Sequence, residues 1–163
     1  MRLIVIRHAR AKERDASAWP DDTKRPLTKG GRRDFARLAA RLPSWMEAPD
    51  VVLSSAWVRA WDTAAILSHE TGWPAAVREP ALETEGGPAA VEAVLRAMAS
   101  RRDQASLALV GHEPVLSQLV ERLLGGVARV EFRKGAVALL EVDLAAGGGI
   151  LLGLVPPEAV QRA

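Results

Sequence analysis

Arg7 and His8 follow a largely apolar six-residue run, Met1 to Ile6, and Gly111 and His112 follow a second run, Ser106 to Val110. Two of the chain's three histidines therefore stand at the ends of strand-like segments. A third run, Val51-Val52-Leu53, gives way to Ser54-Ser55, and Arg59 lies about one turn into the helical segment that follows. In an open sheet of mostly parallel strands the carboxyl ends share one edge, and ligands bind there. Arg7, His8, Arg59 and His112 can thus reach one pocket. A neutral imidazole, with a reference pKa of about 6.5, is a competent nucleophile near neutral pH, and a hydrogen bond to its second nitrogen fixes the reactive tautomer. Guanidinium groups present planar pairs of donors that match the equatorial oxygens of a phosphoryl group under in-line attack. Two arginines and a second histidine supply the charge neutralisation that other enzymes take from magnesium, so this set calls for no metal or cofactor. The three dispersed histidines have no His-x-Glu or His-x-x-x-His spacing and make a poor ligand set.

The elements that must position these groups can be read from periodicity. Phe35, Leu38, Ala39 and Leu42 follow the i, i+3, i+4, i+7 rule of a helix with one apolar stripe, as do Val91, Val94, Leu95 and Met98, and Leu116, Leu119, Val120 and Leu123. Trp57, Ala60, Trp61 and Ala64 repeat it, which assigns both tryptophans to the core stripe. Thr28 caps the helix beginning near Lys29, Pro43 and Pro49 prevent its continuation, and Pro114 suits a first helical turn behind His112. The polar stretch from Ala11 to Pro26 has no period and reads as a loop beside the pocket, with Trp19 in it and Arg25 tied to an acidic partner that the sequence does not name. Arg129 to Arg133, Ala136 to Leu144 and Ile150 to Val155 read as strands, the last two joined across Gly147-Gly148-Gly149. Strands alternating with helices predict a three-layer α/β/α fold with a mostly parallel sheet and an antiparallel edge near the C-terminus, in one domain over 1–163.

Composition narrows the function classes. Twenty acidic residues are interspersed among the Lys and Arg, and aromatic residues are only 4% of the chain, so no coherent nucleic-acid face is expected. Without cysteine there is no disulfide or thiolate metal site, and no apolar stretch reaches the roughly 18 residues that span a bilayer. The N-terminal run is too short for a signal peptide, and a cytoplasmic location is the expectation. His69 has no motif around it and reads as a surface residue.

Taken together, Arg7-His8-Ala9, Arg25-Pro26-Leu27-Thr28 with Gly31, Ser54-Ser55 with Arg59 and Thr63, and Gly111-His112 resemble, in order and spacing, the histidine phosphatase superfamily. The short chain is most similar to its SixA-type phosphohistidine phosphatases, over Leu3 to about Leu124. The resemblance implies a phosphoglycerate mutase-like fold and a phosphoryl transfer in which His8 is transiently phosphorylated, with Arg7, Arg59 and His112 at phosphate-binding positions. Two positions depart from the wider pattern: Ala9 stands where Gly is usual and Asp62 where Gln is common. Larger members supply a general acid from a Glu shortly after the third strand. Glu83 lies in that region, with Glu85 as the alternative.

A phosphate ester expels an alkoxide and benefits greatly from a general acid, whereas phosphohistidine expels an imidazole that leaves more readily. The loose pattern around Glu83 and the lack of long closing insertions favour a phosphorylated protein histidine as substrate. A small-molecule phosphomonoesterase and a phosphate-binding module without turnover are the alternatives. Oligomeric state is not written in the sequence.

Overall fold

A computed structural model describes residues 1–100, 106–127 and 129–160. Six strands form one sheet: β1 (Arg2–Arg7), β2 (Val51–Ser54), β3 (Val77–Arg78), β4 (Leu107–Gly111), β5 (Val137–Asp143) and β6 (Gly148–Val155), in the order β3-β2-β4-β1-β5-β6. The first four run parallel, while β5 pairs antiparallel with β1 and β6 with β5. The glycine-rich turn makes the expected hairpin at the antiparallel edge.

Four helices cover the sheet: α1 (Lys29–Ala39), α2 (Val58–Thr71), α3 (Gly87–Ala99) and α4 (Val115–Leu123). Because successive strand residues point to opposite faces, β1 feeds two cores. Leu3 and Val5 pack with Val91 and Leu95 of α3 and Leu116, Leu119 and Val120 of α4. Ile4 and Ile6 pack with Phe35 and Leu38 of α1 and Ala60, Ala64 and Leu67 of α2. The result is the three-layer arrangement expected from the alternation of elements. A strand buried on both faces must be apolar throughout, which is why Leu3 to Ile6 show no polar interruption.

The helix starts explain how the loops reach the site. Thr28 caps α1, its Oγ1 accepting from the Gly31 amide at 2.9 Å, while its own amide donates to the Arg10 carbonyl at 3.0 Å. A Cβ on Gly31 would fall 2.1 Å from that carbonyl oxygen. Glycine here lets the helix lie directly on the chain leaving β1.

Two expectations need correction. Residues 129–133 form no strand: Val130 and Phe132 are buried in alternation, but both sides of β1 are taken by β4 and β5, and the Phe132 carbonyl accepts from Arg7 Nη1 at 2.6 Å instead. Alternating burial imitated a strand where the backbone serves an arginine. Trp57 is not part of a core stripe either. It is the N-cap of α2, half-buried, while Ala60 and Ala64 carry the buried face. Trp61 is half-buried as well, with the Arg78 guanidinium 5.0 Å from its ring.

Candidate active site

The parallel register places Arg7 beside Gly111, so the residues that follow each strand emerge side by side. The His8 amide donates to the Gly111 carbonyl at 3.0 Å, and the His8 and His112 rings lie 5.1 Å apart between centroids. Arg59 comes from the first turn of α2, immediately after β2. Thr63, one turn further on, accepts from the Ala9 amide at 3.0 Å and donates to the Arg59 carbonyl at 2.7 Å, which locks the β1 exit to the helix that carries Arg59. Arg7, His8, Arg59 and His112 all line one cleft of about 410 Å³, together with Glu13, Arg14, Asp22, Arg25, Trp57, Thr84, Glu113 and Lys134. A larger concavity, about 840 Å³, opens at the opposite edge of the sheet beside Met1, Arg2 and Ser106, and no histidine lines it.

His8 Nδ1 lies 2.7 Å from the carbonyl oxygen of Ala9. A carbonyl only accepts, so Nδ1 carries the proton and the lone pair sits on Nε2. Burial pushes the His8 pKa down to about 3, with Arg59, Arg7 and Arg25 adding to the effect and the Ala9 bond opposing it. The ring is neutral at physiological pH, and Nε2 keeps its lone pair free. His112 is pushed down to about 2, again mainly by burial and then by His8 and Arg59. Its Nε2 lies 2.9 Å from Ser55 Oγ, while its Nδ1 is buried without a partner.

The cationic side of the cleft is built by Arg7 and Arg59. Arg7 spends Nη1 on Phe132, and Arg59 spends Nη1 on the Asp22 carbonyl at 2.8 Å and Nη2 on its carboxylate at 3.1 Å. The Nε atoms of both arginines are buried and unpartnered. Burial lowers the Arg59 pKa to about 10, which leaves it a cation at neutral pH. Arg7, Arg59 and His112 each keep one buried nitrogen without a partner, and the cationic residues that line the cleft suit a tetrahedral oxyanion.

Asp22 is the acidic partner of Arg25: Arg25 Nε donates to its carboxylate at 2.8 Å, and Arg25 Nη1 donates to the Lys12 carbonyl at 2.7 Å. That bond and the adjacent Arg25, Arg59 and Arg14 charges hold the Asp22 carboxyl below its usual range, against the effect of burial. The loop is thereby tied to the cleft, and Trp19 is not among the residues that line it.

Glu83 ends a short 3-10 turn at Pro80–Leu82 and is half-buried, and the residue of this segment that lines the cleft is Thr84. Glu85 is exposed. The carboxylates that do line the cleft are Glu13, Asp22 and Glu113, which the motif did not single out. Glu113 Oε2 accepts from Ser117 Oγ at 2.6 Å, and its Oε1 is buried without a partner. Its position directly after His112 was the available signal. His69 is exposed beside Glu70, away from the site.

A sequence profile of the histidine phosphatase superfamily (branch 1) matches residues 3–90, more than half of the chain. The chain belongs to this superfamily. Superfamily membership carries phosphatase chemistry on phosphorylated substrates, protein or small molecule. Among solved structures the chain is similar to the protein histidine phosphatase SixA complexed with tungstate, with 28% identity, a TM-score of 0.85, and 98% of this chain and 99% of that chain covered. A SixA structure from Agrobacterium tumefaciens gives a TM-score of 0.76 at 20% identity over 96% and 98% of the two chains. A mycobacterial glucosyl-3-phosphoglycerate phosphatase in complex with VO3 gives 0.68 at 15% over 93% and 97%. These last two share the fold. No curated protein sequence matches the chain. Among the described residues, no helix is long and apolar enough to cross a membrane.

Proposed function

We propose that the chain is a metal-independent phosphatase that works through a phosphorylated His8 and acts on a phosphohistidine of a signalling or phosphotransfer protein. The observation that carries the reading is the hydrogen bond from His8 Nδ1 to the Ala9 carbonyl, which leaves an uncharged Nε2 in a cleft walled by Arg7, Arg59 and His112.

In this reading Arg7, Arg59 and His112 bind the phosphoryl oxygens, and His8 Nε2 attacks phosphorus opposite the leaving group. The P–Nε2 bond forms as the bond to the leaving group breaks, and that group departs with the bonding pair and takes up a proton. Water then attacks phosphorus, the P–Nε2 bond breaks, and inorganic phosphate leaves with His8 restored. Charge spread over the equatorial oxygens is met by guanidinium groups already held in place, so little reorganisation is needed. The preference for a P–N bond rests on the leaving group. Neither Glu83 nor Glu85 lines the cleft and Asp22 is held ionised by arginines, which leaves Glu13 and Glu113 as the remaining cleft carboxylates; an imidazole, which departs with less acid assistance than an alkoxide, is the less demanding leaving group for this site. The full-length likeness to a protein histidine phosphatase supports the same substrate class.

The test compares turnover of a phosphohistidine-bearing domain with a panel of sugar and glycerate phosphates, in wild type and His8→Ala, with EDTA present. The expected result is faster turnover of the protein substrate, an acid-labile phosphoenzyme on His8, and no turnover by the variant. Near-normal activity of His8→Ala would overturn the nucleophile assignment. A far higher rate on the metabolites would make the chain a small-molecule phosphomonoesterase.

A further inference from the structure

Resting on the reading of the cleft as an oxyanion site, we infer that Trp57 is a positioning residue that holds Arg59 and His112 in their phosphate-binding geometry through both its ring and its backbone. The indole touches both groups. The Arg59 guanidinium carbon sits 4.5 Å from the ring centroid, and the His112 ring lies 4.8 Å away at an interplanar angle of 51°. The Trp57 amide donates to Ser55 Oγ at 3.2 Å, the same oxygen that meets His112 Nε2 at 2.9 Å. One residue therefore fixes the hydroxyl that orients the imidazole and packs against the imidazole itself.

The need for such a wall follows from the freedom of the groups it restrains. An arginine side chain has many rotamers, and Arg59 already has an anionic partner in Asp22 on the loop side. The flat indole face confines the guanidinium plane, so that the group stays at the cleft it lines. His112 has a single polar partner, Ser55, which sets the ring's position but not its tilt. Trp57 supplies the second constraint. Its place as N-cap of α2, with extended backbone at φ −63° and ψ 133°, puts it outside the helical stripe and frees the ring to face the site.

The experiment measures tungstate affinity, kcat, KM and melting temperature for wild type, Trp57→Leu, Trp57→Phe, Arg59→Ala and the Trp57→Leu/Arg59→Ala double variant. Trp57→Leu is expected to weaken tungstate binding about tenfold, the span of a partly desolvated cation–π contact, and to lower kcat as well as raise KM. Trp57→Phe keeps a ring and is expected to recover most of the loss. Because Trp57 acts partly through Arg59 and partly through His112, the leucine change is expected to add less in the Arg59→Ala background than in the wild type, the remainder being the His112 share. A merely structural tryptophan would lower the melting temperature and leave tungstate affinity unchanged. Wild-type affinity and kcat in Trp57→Leu, or full additivity with Arg59→Ala, would overturn the inference while the oxyanion site stands. If wild type itself binds no tungstate, the reading of the cleft and the inference fall together.

Discussion

Acidification from pH 7 to pH 5 should destabilise this protein more than its surface charges suggest, because two buried imidazoles stay neutral in the fold. The pKa of His8 is lowered from 6.5 to about 3 and that of His112 to about 2, burial being the leading cause for both. With the folded values depressed, the unfolded chain binds protons that the native protein refuses, so stability falls as pH falls. The histidine contribution is complete above the unfolded value near 6.5 and is lost progressively down to the folded values. At pH 5 each ring is about 1.5 pH units below its unfolded pKa, which at about 1.36 kcal/mol per unit is about 2 kcal/mol per histidine. Together they cost about 4 kcal/mol, a large part of a typical stability of about 5–15 kcal/mol. Most carboxylates titrate lower, so this window isolates the histidines. Urea unfolding at the two pH values measures the loss. Wild type should lose about 4 kcal/mol, His8→Gln about 2, and the His8→Gln/His112→Gln double variant little. An equal loss in all three would refute the argument that burial keeps these rings uncharged.

Arg59→Ala removes a buried cation from the cleft, and kcat/KM should fall by about 10²-fold or more if the group acts on the transition state, as steady-state kinetics would measure. Gly31→Ala forces a Cβ against the Arg10 carbonyl, a backbone atom that cannot swing away, and thermal or urea unfolding should show a loss of about 3 kcal/mol. Asp22→Ala frees Arg25 and the loop behind it, so tryptic cleavage within residues 12–26 should accelerate while the sheet stays protected.

The groups of the site were legible because they sit next to elements with strong signals. His8 and His112 follow apolar strands that are buried on both faces, and such runs can be recognised from the residues alone. The motif around Arg25, Thr28 and Gly31 was visible as a pattern, but its reason is tertiary: Thr28 and Gly31 seat α1 on Arg10, and Arg25 grips Asp22. Asp22 gave no local sign of its role, since nothing in Trp19-Pro20-Asp21-Asp22 says that one aspartate turns toward Arg59. The strand β3 is two exposed residues long and has no periodicity to read. Trp57 was misplaced because helical spacing counts positions and not the helix boundary. A residue at the N-cap falls on the apolar register yet has left the helical path, so its ring can point elsewhere.

The same boundary explains why the cleft lies where it does. Arg59 must be held on a rigid element yet reach the end of a neighbouring strand, and a helix beginning three residues after Ser55 does both. Ser55, Trp57, Arg59 and Thr63 then divide the work along one short stretch: hydroxyl to His112, indole to the His112 ring and the Arg59 guanidinium, guanidinium to the cleft, and threonine to the Ala9 amide. Each of the other two histidine-bearing strand ends is thereby referenced to the β2–α2 junction. A change in that junction would shift His8, Arg59 and His112 against one another, whereas a change at the tip of the 11–26 loop would alter access alone. Residues 55, 57 and 63 carry no charge, yet they tie His112, Arg59 and the Ala9 amide together, so substitutions there should disturb the relative placement of the cleft groups.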